Sequence, residues 1–218
     1  MTNSLEKTGQ VPWMPRRLVI AVLVTAIGAF VMLTAVKALN ETFHNEDFPE
    51  ALAVKVELMP LVFPLHMFTG GSALLLVPLT YVLRQWPRLH RIAGRITATD
   101  IVLAGLTAFP VAWVEPVTPW SAAGFTAQAI VWMTLLALAI LAIRRGDVER
   151  HRACMLMMAA VTSGAVFFRI YLALWAIFAH HRYYHLFYAC DSWLAWTLPL
   201  VLTALLLNRA GAMRPNPQ

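Results

Sequence analysis

Residues 58–95 read LMPLVFPLHMFTGGSALLLVPLTYVLRQWPRLHRIAGR. The run Leu58–Leu83 is long enough to cross a bilayer, which takes about 20 apolar residues, yet it carries His66 with Gly70 one helical turn later. A turn with Arg84, Arg88, Arg91 and Arg95 follows, and there His90 is again trailed four residues on by Gly94. Burying an imidazole in hydrocarbon costs free energy unless something binds it, so an intramembrane ionisable residue is by default a functional-site hypothesis.

The rest of the chain agrees that this stretch lies in a membrane. Of 218 residues, 60% are hydrophobic and 13% charged, with a mean hydropathy of +0.65. Soluble domains are roughly half apolar and a quarter charged. The net charge of +6 does not point to nucleic acid, because the basic residues sit in short clusters between apolar runs, the pattern left by membrane insertion. Cys154 and Cys190 fall near opposite ends of one predicted helix and its following loop, too far apart for a disulfide.

The apolar runs are Leu18–Leu39, Leu58–Leu83, Ile92–Val114, Ser121–Ile143, Ala153–Phe178 and Trp193–Asn208. They predict an all-α polytopic membrane protein, a six-transmembrane-helix bundle spanning residues 18–208 between tails at 1–17 and 209–218. The first run exceeds the ~7–15 apolar residues of a cleavable signal, so it is expected to be a retained helix. Lys and Arg fix the orientation. Arg16 and Arg17, then Arg84, Arg88 and Arg91, then Arg144, Arg145, Arg150 and Arg152, then Arg209 and Arg214 mark alternate connections, whereas the others carry only Lys55 and Arg182. Both termini are therefore expected in the cytoplasm.

Depth sorts the polar residues that remain. His66 lies roughly 12 Å below the outer surface at ~1.5 Å per residue, and Arg169 on the fifth segment falls in the same outer half. An arginine at that depth costs about 2.5–3.5 kcal/mol on insertion scales and needs a partner: Glu115, Asp191 or an anionic ligand. On the cytoplasmic side His90 and His151 each open a helix and could approach across the bundle, the geometry of two axial ligands. A flat macrocycle also needs close backbone approach, which Gly70 and Gly94 offer on the faces of the histidines. Met155, Met158 and Cys154 offer a polarizable wall, and Arg91 and Arg95 could pair with propionates.

Each feature has a plainer reading. Glycines at four-residue spacing pack membrane helices with nothing bound, and His90 and His151 could be solvated members of topology-setting clusters. Asp100 could simply neutralise Arg95 or Arg91, and Arg169 could be one half of an interhelical ion pair. In the outer connection His181 and His185 stand four apart, suited to zinc or copper if that segment is helical, although histidines in a solvated loop are commoner. Trp120, Trp193 and Trp196 fit an outer aromatic belt. The chain has no Gly-rich phosphate loop, no His-Glu-x-x-His and no Gly-x-Ser-x-Gly.

The pattern His66-x-x-x-Gly70, then Pro87-x-x-His90-Arg91-x-x-Gly94-Arg95, then His151-Arg152-x-x-Met155 followed by Arg169 resembles a bacterial membrane family catalogued as domain of unknown function 2306. More distantly it is similar to the di-haem b-type membrane cytochromes, the cytochrome b561 group. That resemblance implies bis-histidine haem b, electron transfer with a membrane quinone, and residence in a bacterial inner membrane. It departs from the group in giving His66 no deep histidine partner. The competing expectations are a non-redox accessory subunit of a larger membrane complex, a small transporter, and a metal-dependent enzyme using the outer histidines.

Overall fold

The computed structural model describes residues 26–30, 32–33, 36–37, 39–40, 43–44, 50–180 and 182–210, with the backbone alone for 50–52. The described residues from 26 to 43 are helical. Most of the run Leu18–Leu39, like residues 1–17, 211–218 and His181, lies outside the described residues.

Six helices follow. The short α1 (Glu50–Leu58) precedes α2 (Val62–Val82), which ends in a 3₁₀ turn, Leu83–Gln85; then come α3 (Pro87–Trp113), α4 (Pro119–Arg144), α5 (Val148–Ala179) and α6 (Tyr184–Arg209). The five from α2 onward are long and apolar enough to cross a bilayer, and among the described residues there is no strand.

α2 starts later than its apolar run, at Val62 rather than Leu58, but the starts of α3 to α6 lie earlier than hydropathy placed them because polar starting signals sit ahead of the apolar runs. Pro87 opens α3 and Pro119 opens α4, where the missing N–H costs nothing. The Thr118 hydroxyl accepts from the Ser121 amide at 3.0 Å while the Ser121 hydroxyl accepts from the Thr118 amide at 3.1 Å, a reciprocal cap. At the head of α5 the Asp147 carboxylate accepts from the Arg150 amide at 2.9 Å, and Gly146 supplies the positive φ of 80° that the preceding turn requires. The largest shift is in α6, which begins at Tyr184 rather than Trp193, so the outer connection shrinks to residues 180–183.

Around a ring, α2 packs on α3, α3 on α4 and α4 on α5, with α5 returning to α2; α6 lies against α4 and α5. Val77, Ile101, Leu135, Leu136, Met158, Val161 and Trp196 fill the middle. Lipid tails are as apolar as leucine, so cohesion comes from close packing and interhelical hydrogen bonds. Three glycines make the packing possible. A Cβ on Gly105 would stand 2.7 Å from Met133, one on Gly124 2.5 Å from the Ser192 hydroxyl, and one on Gly164 2.7 Å from Trp196. Polar links add to this: Thr80 to Thr97 at 2.8 Å between α2 and α3, and Trp132 to Thr162 at 2.9 Å between α4 and α5. Trp196, expected in the aromatic belt, is instead 5% exposed in the core with its indole N–H on the Ser192 carbonyl, 3.0 Å away; Trp120 does lie at the surface.

Candidate functional site

The membrane histidines share one local arrangement. His90, the fourth residue of α3, holds Nδ1 2.9 Å from the Thr80 carbonyl oxygen on α2. His151, the fourth residue of α5, holds Nδ1 2.9 Å from the Ala139 carbonyl oxygen on α4. His66 on α2 reaches α3, with Nδ1 3.2 Å from both the Ala104 carbonyl and the Thr107 hydroxyl oxygen. A carbonyl oxygen can only accept, so Nδ1 carries the proton in each ring. Neutral imidazole then keeps its lone pair on Nε2, the tautomer that ligates metal when a carbonyl orients the ring.

These partners were invisible in the sequence. His66 is not the unpartnered imidazole its apolar neighbours suggest, because Thr107 and the Ala104 carbonyl come to it from the next helix. His90 and His151 are half-buried members of α3 and α5, helices that stand across the α2–α5 ring from one another. Small buried side chains occupy these ends of α3, α4 and α5: Ala93, Thr97, Ala139, Ala142 and Ala153. Cys154 is buried and a free thiol, whereas Met158, expected as a wall beside His151, is fully buried in the central core.

Gly70 and Gly94 behave unlike the packing glycines. A Cβ on Gly70 would meet nothing within 4 Å, and one on Gly94 would meet only a Thr80 methyl at 4.0 Å. Helix contact therefore does not require either glycine. Both leave open surface one turn beyond a histidine.

Arginines border this end. Arg91 holds its Nε on the Pro87 carbonyl at 3.2 Å and is exposed. Arg95 faces a cleft of about 440 Å³ between α2 and α3, lined also by Leu65, Phe68, Thr69 and Asp100. Asp100 does not serve chiefly to neutralise them: its Oδ1 accepts from the Ser72 hydroxyl at 2.6 Å, and its Oδ2 is buried with no hydrogen-bond partner among the described residues.

In the other half of the bundle His66 and Arg169 stand on different helices. His66 sits between α2 and α3, while Arg169, on α5, donates from Nη1 to the Ala165 carbonyl at 2.8 Å and lies within electrostatic reach of Tyr188 on α6. Asp191, a candidate partner for Arg169, is 2% exposed, and neither of its oxygens has a hydrogen-bond partner among the described residues. Lys55, on α1 outside the spans, donates to the Val111 and Val114 carbonyls and so caps the C-terminus of α3. Burial holds its pKa below the ordinary lysine value of 10.5, opposed by the nearby Glu115 carboxylate.

Of the pair His181 and His185, His181 lies outside the described residues and His185 is the second residue of α6. His180 and Tyr183 are left-handed, at φ 47° and 56°, and the helix begins only at Tyr184. His185 points Nδ1 at the Val117 carbonyl, 3.3 Å away, pinning the head of α6 to the α3–α4 connection. Among the described residues no group of three or more His, Cys, Asp or Glu is arranged to hold a metal ion.

No curated protein and no solved structure matches the chain. A family model described as a predicted membrane protein, DUF2306, matches residues 63–207, from the start of α2 almost to the end of α6, and the chain belongs to that family.

Proposed function

We propose that this integral membrane protein binds haem b at its cytoplasmic end, where His90 and His151 would hold it, and passes electrons between a membrane quinone or other donor and an acceptor. The observation that carries the reading is the carbonyl anchoring of both rings, which leaves Nε2 of each without a hydrogen bond among the described residues. The residues present fit the group. Two imidazoles in the ligating tautomer open helices on opposite sides of the ring, small side chains line that end, and Gly94 leaves room beside His90. When bound, the haem supplies a one-electron couple inside the low-dielectric bundle.

The protein's own contribution is orientation and charge. The Thr80 and Ala139 carbonyls hold the imidazole planes and raise their basicity toward a metal. Arg91 and Arg95 offer donors to anionic groups at the cytoplasmic rim. In the same reading Leu18–Leu39 is a sixth span, both termini are cytoplasmic, and the membrane is the inner membrane of a bacterium.

The test is an absorption spectrum of the full chain, purified in detergent from cells supplied with haem precursor, before and after dithionite. A reducible Soret band with sharp α and β bands, lost in His90→Ala and in His151→Ala with the variants still monodisperse, is the expected result. A folded preparation that stays colourless after incubation with hemin overturns the cytochrome reading.

A further inference from the structure

On α6, Tyr184, Tyr188 and Asp191 stand at i, i+4 and i+7, on one face of the helix. Tyr184 is 39% exposed at the outer end. Its ring centroid lies 5.5 Å from that of Tyr188, which is enclosed edge-on by Phe125 at 6.1 Å and Phe168 at 5.2 Å. One turn deeper is Asp191, about 10 Å along the helix from its start at ~1.5 Å per residue. The stripe thus runs from the water-facing end of the helix to a carboxyl group closed off from solvent and without a hydrogen-bonding neighbour.

A carboxylate left ionised and unpaired in such a place carries a large desolvation cost, and it answers by taking a proton or a cation. The surroundings choose between them. A hard cation needs about six oxygen ligands or retained water, and among the described residues no cluster is arranged to hold a metal. There is also little room for a hydrated ion: α4 closes so tightly on the next residue of α6 that a Cβ on Gly124 would stand 2.5 Å from the Ser192 hydroxyl. In that half of the bundle α4 contributes no titratable side chain, and α5 contributes Arg169, whose charge acts on Tyr188, and Tyr171.

We propose that Tyr184, Tyr188 and Asp191 form a proton-loading site entered from the membrane face opposite the arginine clusters. The step moves one proton from outer water to an Asp191 oxygen, turning a carboxylate into a neutral acid. Neither tyrosine hydroxyl bonds Asp191 directly, so water admitted from the outer end bridges the gaps; each hydroxyl receives one proton as it passes one on and ends unchanged. The proposal does not depend on haem binding.

Infrared spectroscopy of the full chain in lipid nanodiscs tests it directly. At neutral pH the wild type shows the carbonyl stretch of a protonated carboxylic acid, shifted on transfer to deuterium oxide. Asp191→Asn abolishes that band, whereas Asp100→Asn retains it. Tyr188→Phe leaves the band in place and slows its deuterium shift severalfold. Should Asp191→Asn fail to fold, labelling of the wild type with dicyclohexylcarbodiimide replaces it: modification located at Asp191 by mass spectrometry and falling as pH rises is the expected result. The idea is overturned by a band unaltered in Asp191→Asn, by deuteration indifferent to Tyr188→Phe, by an Asp191 that resists the carbodiimide, or by sodium ions removing the band at fixed pH.

Discussion

Nδ1 of His90 lies 2.9 Å from the carbonyl oxygen of Thr80, ten residues earlier on the neighbouring helix. Thr80 is itself fixed, because its hydroxyl meets that of Thr97 at 2.8 Å and the Thr97 hydroxyl donates to the Ala93 carbonyl at 2.8 Å. A network of this kind leaves the imidazole one proton position and one tautomer. Nitrogen-15 NMR of histidine-labelled apoprotein, at a pH where the rings are neutral, is therefore expected to give a protonated Nδ1 and a pyridine-type Nε2 for His90 and His151. A protonated Nε2 with a bare Nδ1 contradicts the assigned bonds.

The glycines divide into two classes with opposite mutational outcomes. Gly124→Ala drives a methyl against the Ser192 hydroxyl at 2.5 Å and the Ser192 carbonyl oxygen at 3.0 Å. The backbone cannot rotate away as a side chain would, so a loss of about 1–3 kcal/mol is expected. Thermal unfolding in detergent measures it.

Gly70→Ala and Gly94→Ala should do the reverse to stability. Neither new methyl meets a neighbour closer than 4.0 Å, and alanine is better than glycine in a helix by about 1 kcal/mol. Unfolding temperatures are expected to hold or rise. In the cytochrome reading Gly94→Ala nevertheless lowers haem occupancy, visible as a smaller Soret absorbance per mole of protein. A variant that keeps full absorbance removes Gly94 from the site.

Ser72→Ala deprives the buried Asp100 of its 2.6 Å donor. With Oδ2 also lacking a partner among the described residues, the carboxyl group is stranded, at a cost of about 1–3 kcal/mol. Ser72→Thr keeps the hydroxyl and should retain most of the stability. Equal losses in the two variants would show that volume rather than the hydrogen bond matters.

Lys55 gives a pH dependence of definite sign. Its pKa in the folded protein is depressed below 10.5, so between the two values the unfolded chain binds more protons, and this group's contribution to stability rises with pH. Below the folded pKa both states are protonated and the burial cost is present in full. Lys55→Met is expected to flatten the rise in unfolding temperature just below 10.5 and to expose the Val111 and Val114 carbonyls it caps. An unchanged slope would assign the dependence to another group.

Hydropathy alone made the chain a multi-helix membrane protein, because spanning a hydrocarbon layer about 30 Å thick demands long runs without charge, and α2 to α6 answer to five of the predicted segments. Where those helices start was less legible. Thr118, Asp147 and Tyr184 lie outside the apolar runs, and caps rather than hydrophobicity set a terminus. The histidines and the His-x-x-x-Gly spacing could be read as unusual, but their partners could not. Thr107 is 41 residues from His66, and Thr80 and Ala139 contribute only main-chain oxygens, which leave no mark in a sequence.

Composition and spacing thus determined that the protein lives in lipid and which side chains sit there at a cost. Only the tertiary structure decided which of those costs are met. Whether a buried imidazole or carboxyl group is satisfied depends on the helix that arrives beside it: α2 and α4 bring carbonyl oxygens to His90 and His151, and Ser72 comes to Asp100. For Asp191 none of the described residues brings a hydrogen-bond donor. Chain proximity cannot encode these encounters, because side chains at helix contacts meet across tens of residues.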